Sequence, residues 1–227
     1  MTNTVDDPQL TILAAQLIAE TDALPVKNTA TMRRIRRKYS WKLKAADADF
    51  VLALARTLIK QAGMRWVAHE LIANHPLAFK SITEEVLEEF GQGINSWYSV
   101  DDFARTLAGP AWREGQVRDE RIRKWAESDD PWWRRAALVS TVAWNVRSQG
   151  GKGDAPRTLE ICSLLARDRD DMVVKAMSWA LRELVIHDAK AVSDFLSEYE
   201  DELAARVKRE VKNKLLTGYK NPKQHPR

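Results

Sequence analysis

The sequence Asp130-Pro131-Trp132-Trp133-Arg134-Arg135-Ala136 recurs as a pattern 40 residues later in Asp170-Asp171-Met172-Val173-Val174-Lys175-Ala176. In each copy an acid precedes a helical segment, and a cation followed by Ala lies near its start. A period of about 40 residues is typical of helix-pair repeats of the HEAT or armadillo kind. The pattern therefore favours a fold of stacked helix pairs.

Helical periodicity continues on both sides of this repeat. Apolar residues recur at helical spacing along almost the whole chain, and no window alternates as a strand does. The 227 residues include 29 Ala but only 9 Gly and 8 Pro, which favours helix over sheet. We predict an all-α, HEAT-like α-solenoid of antiparallel helix pairs with a concave basic groove. Residues 1–216 form one domain in this prediction, and residues 217–227 form a flexible basic tail.

Basic charge is concentrated in two segments. Residues 27–44 hold eight Lys or Arg and no acid, and residues 206–227 hold eight more against Glu210 alone. Since the totals are 36 basic and 32 acidic residues, the remainder has 20 basic and 31 acidic residues. Such concentrated positive charge suits a polyanion such as nucleic acid. The alternative is a pair of solvated helix faces.

Several function classes lack their signatures. The single cysteine, Cys162, excludes an intramolecular disulfide and a thiolate metal cage. There is no HExxH motif and no Gly-rich phosphate loop, and the four His are scattered singly. The N-terminus lacks the features of a signal peptide, and no apolar run approaches a membrane span. We expect a cytoplasmic protein with no membrane partner.

One candidate site lies in the segment Ser96-Trp97-Tyr98-Ser99-Val100-Asp101. Trp97 and Asp101 are four residues apart, so a helix places both on one face. An aromatic face and a carboxylate together suit a bound cation. The alternative is that Trp97 belongs to the core and Asp101 is an acid favoured by the helix dipole.

Two further segments pair tryptophan with arginine. Trp179 and Arg182 are three residues apart, an arrangement that suits a sugar or base together with a phosphate. The alternative is a core Trp beside a surface Arg. In Trp132-Trp133-Arg134-Arg135 we expect one Trp to be core, and we favour a phosphate contact for Arg135 over a salt bridge to Glu127 or Asp130.

The other tryptophans have no comparable partners. We interpret five of the nine as packing residues. These are Trp41, Trp66, Trp112, Trp125 and Trp144.

Taken in order, these three segments resemble the bacterial DNA alkylation-repair glycosylases of the AlkD type. The resemblance covers about residues 10 to 216 and includes a Thr29…Arg33 stretch that leads a basic helix. It implies a HEAT-like α-solenoid that removes cationic N3- and N7-alkylated purines from double-stranded DNA, without metal or cofactor. It also implies that the damaged base is not drawn into a pocket, unlike in most enzymes that act on bases.

The resemblance also implies roles for single residues. Asp101 matches the catalytic carboxylate of the family, and Trp97 and Trp179 match its sugar-contacting aromatics. Arg135 and Arg182 match positions expected to touch the DNA backbone. Six further cations complete our predicted DNA-binding set: Lys175, Arg134, Arg33, Arg36, Arg37 and Lys27.

With this resemblance we predict a DNA glycosylase for cationic alkylpurines, nucleoid-associated in the cytoplasm and acting as a monomer with no obligate protein partner. The first alternative is a non-catalytic HEAT-repeat protein that binds bent, branched or damaged DNA through the same basic groove. The second alternative is a protein–protein scaffold, a common use of α-solenoids.

Overall fold

The computed structural model describes residues 7–222 of the chain, and in that part the regular structure is helical, with no strand. The predicted all-α fold class is confirmed. None of the helices in this described range is long and apolar enough to cross a lipid bilayer. The contact pattern divides the chain into two compact units, Met1–Gln92 and Gly93–Arg227. The single domain over 1–216 stays a prediction.

The first unit contains six helices among its described residues. They are α1 (Pro8–Asp22), α2 (Thr29–Lys42), α3 (Ala48–Ala62), α4 (Arg65–Ala73), α5 (Pro76–Lys80) and α6 (Glu84–Gly91). Within it α1 packs on α3 and α2 packs on α4, while α1–α2 and α3–α4 contacts join the two layers.

The second unit begins with a helix that changes its pitch. After α7 (Trp97–Phe103) the chain makes a π-helical turn over Ala104–Ala108 and continues into α8 (Gly109–Arg113). The remaining helices follow as α9 (Asp119–Ala126), α10 (Pro131–Asn145), α11 (Ala155–Leu164), α12 (Asp171–Leu184), α13 (Ala189–Glu198) and α14 (Ala205–Thr217). A short 3₁₀ turn at Arg147–Gln149 lies between α10 and α11.

Alternate helices of the second unit lie side by side. Helix α10 packs on α12 and α12 on α14, while α9 packs on α11 and α11 on α13. Contacts of α9 with α10, α11 with α12 and α13 with α14 join these two rows. This two-row stacking is what a helix-pair solenoid requires. The concave basic groove stays a prediction.

The 40-residue repeat has a local physical cause. Asp130 caps α10 by accepting a hydrogen bond from the backbone N–H of Trp132 at 2.9 Å. Asp170 caps α12 in the same way, accepting from the N–H groups of Met172 at 2.8 Å and Val173 at 3.2 Å. Both acids thus satisfy backbone donors that a helix start leaves unpaired. The acid in the repeat specifies where two packed helices begin.

The C-terminal segment beyond α14 is described only as far as residue 222. Gly218 ends the helix in the left-handed conformation. The Lys220 ammonium lies 3.3 Å from the Glu210 carboxylate, and the Asn213 side chain donates to the Lys220 carbonyl. The predicted flexible tail therefore starts with residues that contact α14, and residues 223–227 lie outside the described range.

Gly109 allows α8 to approach α10 closely. A Cβ atom at this position would lie 2.6 Å from both the Ala143 Cβ and the Ser140 carbonyl oxygen. We predict that Gly109→Ala lowers the free energy of unfolding by about 1–3 kcal/mol, because the crowded neighbours include backbone that cannot turn away. Thermal unfolding should show a Tm about 2–10 °C lower. An unchanged Tm would contradict this close packing.

Candidate active site

The start of α7 is fixed by a reciprocal cap. The Ser96 hydroxyl accepts a hydrogen bond from the Ser99 N–H, and the Ser99 hydroxyl accepts one from the Ser96 N–H. This capping box starts the helix at Trp97 and so places Trp97 and Asp101 one turn apart on one face. Trp97 is 57% exposed, so the alternative that it belongs to the core is wrong.

The far end of α7 is held by aromatic packing. The Phe103 ring lies 5.9 Å from the rings of both Trp125 and Trp133, and these two tryptophans lie 4.9 Å apart. Helices α7, α9 and α10 each contribute one ring. Trp133 thus serves as the expected packing tryptophan of its segment, and the cluster orients α7 against α10.

Asp101 forms a bidentate ion pair with Arg135 of α10. The Arg135 Nε donates to Oδ1 and its Nη2 donates to Oδ2, both at 2.9 Å. The remaining Arg135 nitrogen, Nη1, donates to the backbone carbonyl of Met172 in α12. One guanidinium therefore connects three helices, and paired N–H···O⁻ bonds of this kind are among the strongest in proteins.

This pairing corrects our expectation for Arg135. Its side chain is only 6% exposed, and its ion pair is with Asp101, not with Glu127 or Asp130. A guanidinium so buried and occupied has little left to offer a phosphate. The geometry favours a role in holding Asp101, and the predicted phosphate contact is not supported by it.

The Asp101 carboxylate experiences opposing influences on its pKa. Burial raises the pKa above the usual 3.8, while the hydrogen bonds and charge of Arg135, and the charge of Arg105, lower it. The net direction is upward. The Asp101 side chain nevertheless remains 20% exposed.

Arg105 joins Asp101 to Trp179. It lies in the π-helical turn, and its guanidinium carbon is 5.3 Å from the centre of the Trp179 ring. Its Nε is buried and has no hydrogen-bond partner among the residues that the structure describes. The sequence analysis missed Arg105, although its position four residues after Asp101 was a usable signal. π-Helical turns occur frequently at functional sites.

Trp179 and Arg182 are both half-buried on α12. The Trp179 ring nitrogen donates to Glu183 at 3.0 Å. The Arg182 Nε donates to the Ser178 hydroxyl, which itself donates to the buried carboxylate of Glu210. Burial lowers the pKa of Arg182, while Glu210 and Glu183 raise it. Glu210, which the sequence analysis did not single out, thus anchors this arginine through Ser178.

The other predicted DNA-binding cations of the second unit are both paired. Arg134 donates to Asp168 at 2.7 Å and to the carbonyls of Ser128 and Asp129. This network favours a structural role in the turn before α10. Lys175 pairs with the exposed Asp171 one turn away. Because an exposed ion pair contributes little free energy, Lys175 could exchange it for a phosphate at small cost.

The predicted DNA-binding cations of the first unit fall into two groups, those that form ion pairs and those that do not. Arg36 is 13% exposed and pairs with Glu70 of α4 at 2.7 Å, so its DNA contact is not supported by the geometry. Lys27 pairs with Asp22 in an exposed contact. Arg33 and Arg37 are exposed, and the described residues give neither an ion pair.

The packing interpretation holds for most of the remaining tryptophans but not for all. Trp112 and Trp125 are buried as predicted, and Trp66 and Trp144 are half-buried. Trp41 is 78% exposed, so the prediction that it is a packing residue is wrong. It lies on α2 beside the basic residues. Helical periodicity alone could not distinguish a residue of an apolar face from an isolated exposed ring.

No group of three or more His, Cys, Asp or Glu in the described range is placed to hold a metal ion.

Comparison with models of protein families matches residues 5–215 to the family described as DNA alkylation repair enzyme. The chain belongs to the DNA alkylation repair enzyme family. The resemblance that the three motifs carried is thereby confirmed at the family level. The curated proteins include no match to this chain.

The ion pair of this alkylation-repair family member generates a pH-dependent prediction. Arg135→Met leaves a partly buried carboxylate without its cation, which costs about 3–5 kcal/mol at pH 7. The same change raises the folded-state pKa of Asp101 further above its unfolded value near 3.8. The folded state then binds the extra proton, so the loss shrinks as the pH falls through that raised pKa.

Urea unfolding at pH 7 and at about pH 4 measures this difference. The double variant Asp101→Asn/Arg135→Met is the control, because it has no carboxyl at position 101. Its loss of stability relative to wild type should not shrink in the same way as the pH falls. An equal loss of stability at both pH values in Arg135→Met would contradict the assigned pairing.

Proposed function

We propose that this protein is a DNA glycosylase that hydrolyses the N-glycosidic bond of cationic N3- or N7-alkylated purines in double-stranded DNA. The family assignment supports a role in alkylation repair. The observation that carries the finer proposal is Asp101, whose carboxylate is fixed by Arg135 and whose side chain is still 20% exposed, with Trp97 one turn away on the same face.

The substrate supplies much of the driving force. Alkylation at N3 or N7 gives the purine a positive charge, so the base takes the electron pair of the C1′–N bond and leaves as a neutral species. The sugar becomes an oxocarbenium-like cation. Water then adds at C1′ and loses a proton, which leaves an abasic site. Because the leaving base needs no proton, this chemistry requires no strong general acid.

Asp101 supplies negative charge next to the developing cation. Arg135 uses one lone pair of each carboxylate oxygen, and each oxygen retains a second lone pair. The retained lone pairs accept a hydrogen bond from the attacking water and stabilise positive charge at C1′. A preorganised group of this kind typically contributes a few kcal/mol to barrier lowering.

The two tryptophans supply ring faces that attract a cation. Trp97 offers an exposed face, and Trp179 already holds a cation, the Arg105 guanidinium, at 5.3 Å. That internal contact supports the proposal that this part of the protein accommodates positive charge. Water is the only co-reactant of the proposed reaction, and the resemblance to the AlkD-type glycosylases is the ground for proposing no metal and no cofactor.

A second candidate function is non-catalytic binding of bent, branched or damaged DNA. The observation that favours it is the completeness of the Asp101–Arg135 pair, which by itself suffices as a structural link between α7, α10 and α12. In that case Asp101 has no chemical role. Base release distinguishes the two functions.

We predict that Asp101→Asn slows release of 7-methylguanine from methylated duplex DNA, lowering the single-turnover rate at least about a hundredfold. Trp97→Ala should lower the rate as well, while leaving the Tm unchanged because the ring is 57% exposed. Chromatography of released bases measures the rate.

Since Asp101→Asn removes the partner of a buried arginine, its folding is checked by circular dichroism and by DNA binding. The exposed Trp97→Ala variant keeps the test decisive if Asp101→Asn does not fold. Wild-type rates in both folded variants would overturn the catalytic assignment.

DNA binding by the first unit is tested through salt dependence. We predict that Arg33→Gln and Arg37→Gln each reduce the slope of log K against log salt by about 0.9, because each cation neutralises one phosphate. Arg36→Gln is the matched control on the same helix. Its charge is already paired with Glu70, so it should lower stability and leave the slope unchanged. Equal slopes in all three variants would contradict this interface.

A further inference from the structure

Four exposed side chains form one face of α2. They occupy a sector of about 100° at 3.6 residues per turn. We call this face the α2 stripe, and its members are Arg33, Arg34, Arg37 and Trp41. The opposite face of α2 is buried through Ile35 and Tyr39.

The cations of α2 differ in whether carboxylates neutralise them. Arg36 and Lys38, which lie outside the stripe, pair with Glu70 and Glu20. The three arginines of the stripe have no ion pair among the described residues. The fold thus neutralises the cations at its helix contacts and leaves the stripe charged. A face of this kind complements an anionic surface.

Trp41 is the unusual member of the stripe. Its ring is 78% exposed, and it stands one turn after Arg37 on the same face. Contact with a ligand would remove this apolar indole from water. The positive charge around it attracts an anionic surface and repels a cationic one. A ligand that carries both negative charge and an accessible planar face complements both features of the stripe.

Nucleic acid carries both features, but a paired duplex hides its base faces in the stack. An unpaired base offers its face, and stacking of a base on an aromatic side chain strengthens binding without sequence preference. We propose that the α2 stripe binds DNA at an unpaired nucleotide, with Trp41 stacking on the base while Arg33, Arg34 and Arg37 contact the flanking phosphates.

This inference rests on the proposed function only in taking DNA as the ligand. It requires no base excision, and its test uses undamaged DNA. A failure of the stripe therefore leaves the glycosylase proposal intact, and a protein without glycosylase activity can still bind in this way.

Fluorescence anisotropy of the full-length protein tests the proposal with two labelled DNAs. One is a fully paired undamaged duplex, and the other is the same duplex with a short bulge of unpaired thymines. Wild type should bind the bulged DNA more tightly. Trp41→Ala should lose about tenfold in affinity for the bulged DNA and little for the duplex.

Two further variants separate stacking from charge. Trp41→Phe keeps an aromatic face and should retain most of the preference for the bulge, while Arg37→Gln should weaken binding to both DNAs alike. The side chain of Trp41 is too exposed for its loss to unfold the chain, and Tm measurements check this. Equal binding of the two DNAs by wild type, or no effect or an equal loss on both DNAs in Trp41→Ala, would overturn the proposal.

Discussion

The ion pair between Asp101 and Arg135 is the interaction on which the candidate site depends. It holds a carboxylate of α7 in a fixed orientation, and through the Met172 carbonyl it connects that carboxylate to α12, the helix that carries Trp179. Without the arginine, burial would favour the neutral acid. The carboxylate can therefore keep its negative charge in a partly dry environment, because α10 supplies the counter-charge.

Arginine–carboxylate pairs between neighbouring elements recur along the chain. Arg36 reaches Glu70, Arg134 reaches Asp168, and the other long-range pairs likewise span a little under 40 residues. Each arginine side chain reaches from one helix pair to the next. These arginines are therefore already neutralised by carboxylates that hold the helix pairs together. The formal count of basic residues therefore overstates what is available to DNA. In the first unit the α2 stripe remains charged, and in the second the exposed Lys175 pair is readily exchanged.

Much of the fold, and part of the candidate site, could be predicted from local rules of helix formation. The acids at Asp130 and Asp170 predicted where α10 and α12 begin, since a helix start leaves N–H groups that a carboxylate caps. Spacing of four placed Trp97 and Asp101 on one face. Spacing carries no information on which cation pairs with a carboxylate 34 residues away, so the sequence alone could not identify Arg135 as the partner of Asp101. Nor did periodicity separate an exposed Trp41 from a packed one, because burial depends on which helix lies opposite.

The proposed reaction requires Asp101 to act as an ionised carboxylate at the reacting sugar. The most direct measurement is the single-turnover rate of 7-methylguanine release across the acidic and neutral pH range, corrected for release without enzyme. We expect the rate to fall with decreasing pH through one ionisation lying above 3.8, since burial raises the pKa of Asp101. The folded variant Asp101→Asn should lack this step. A wild-type rate that does not change over this range, or an identical profile in the variant, would contradict the account.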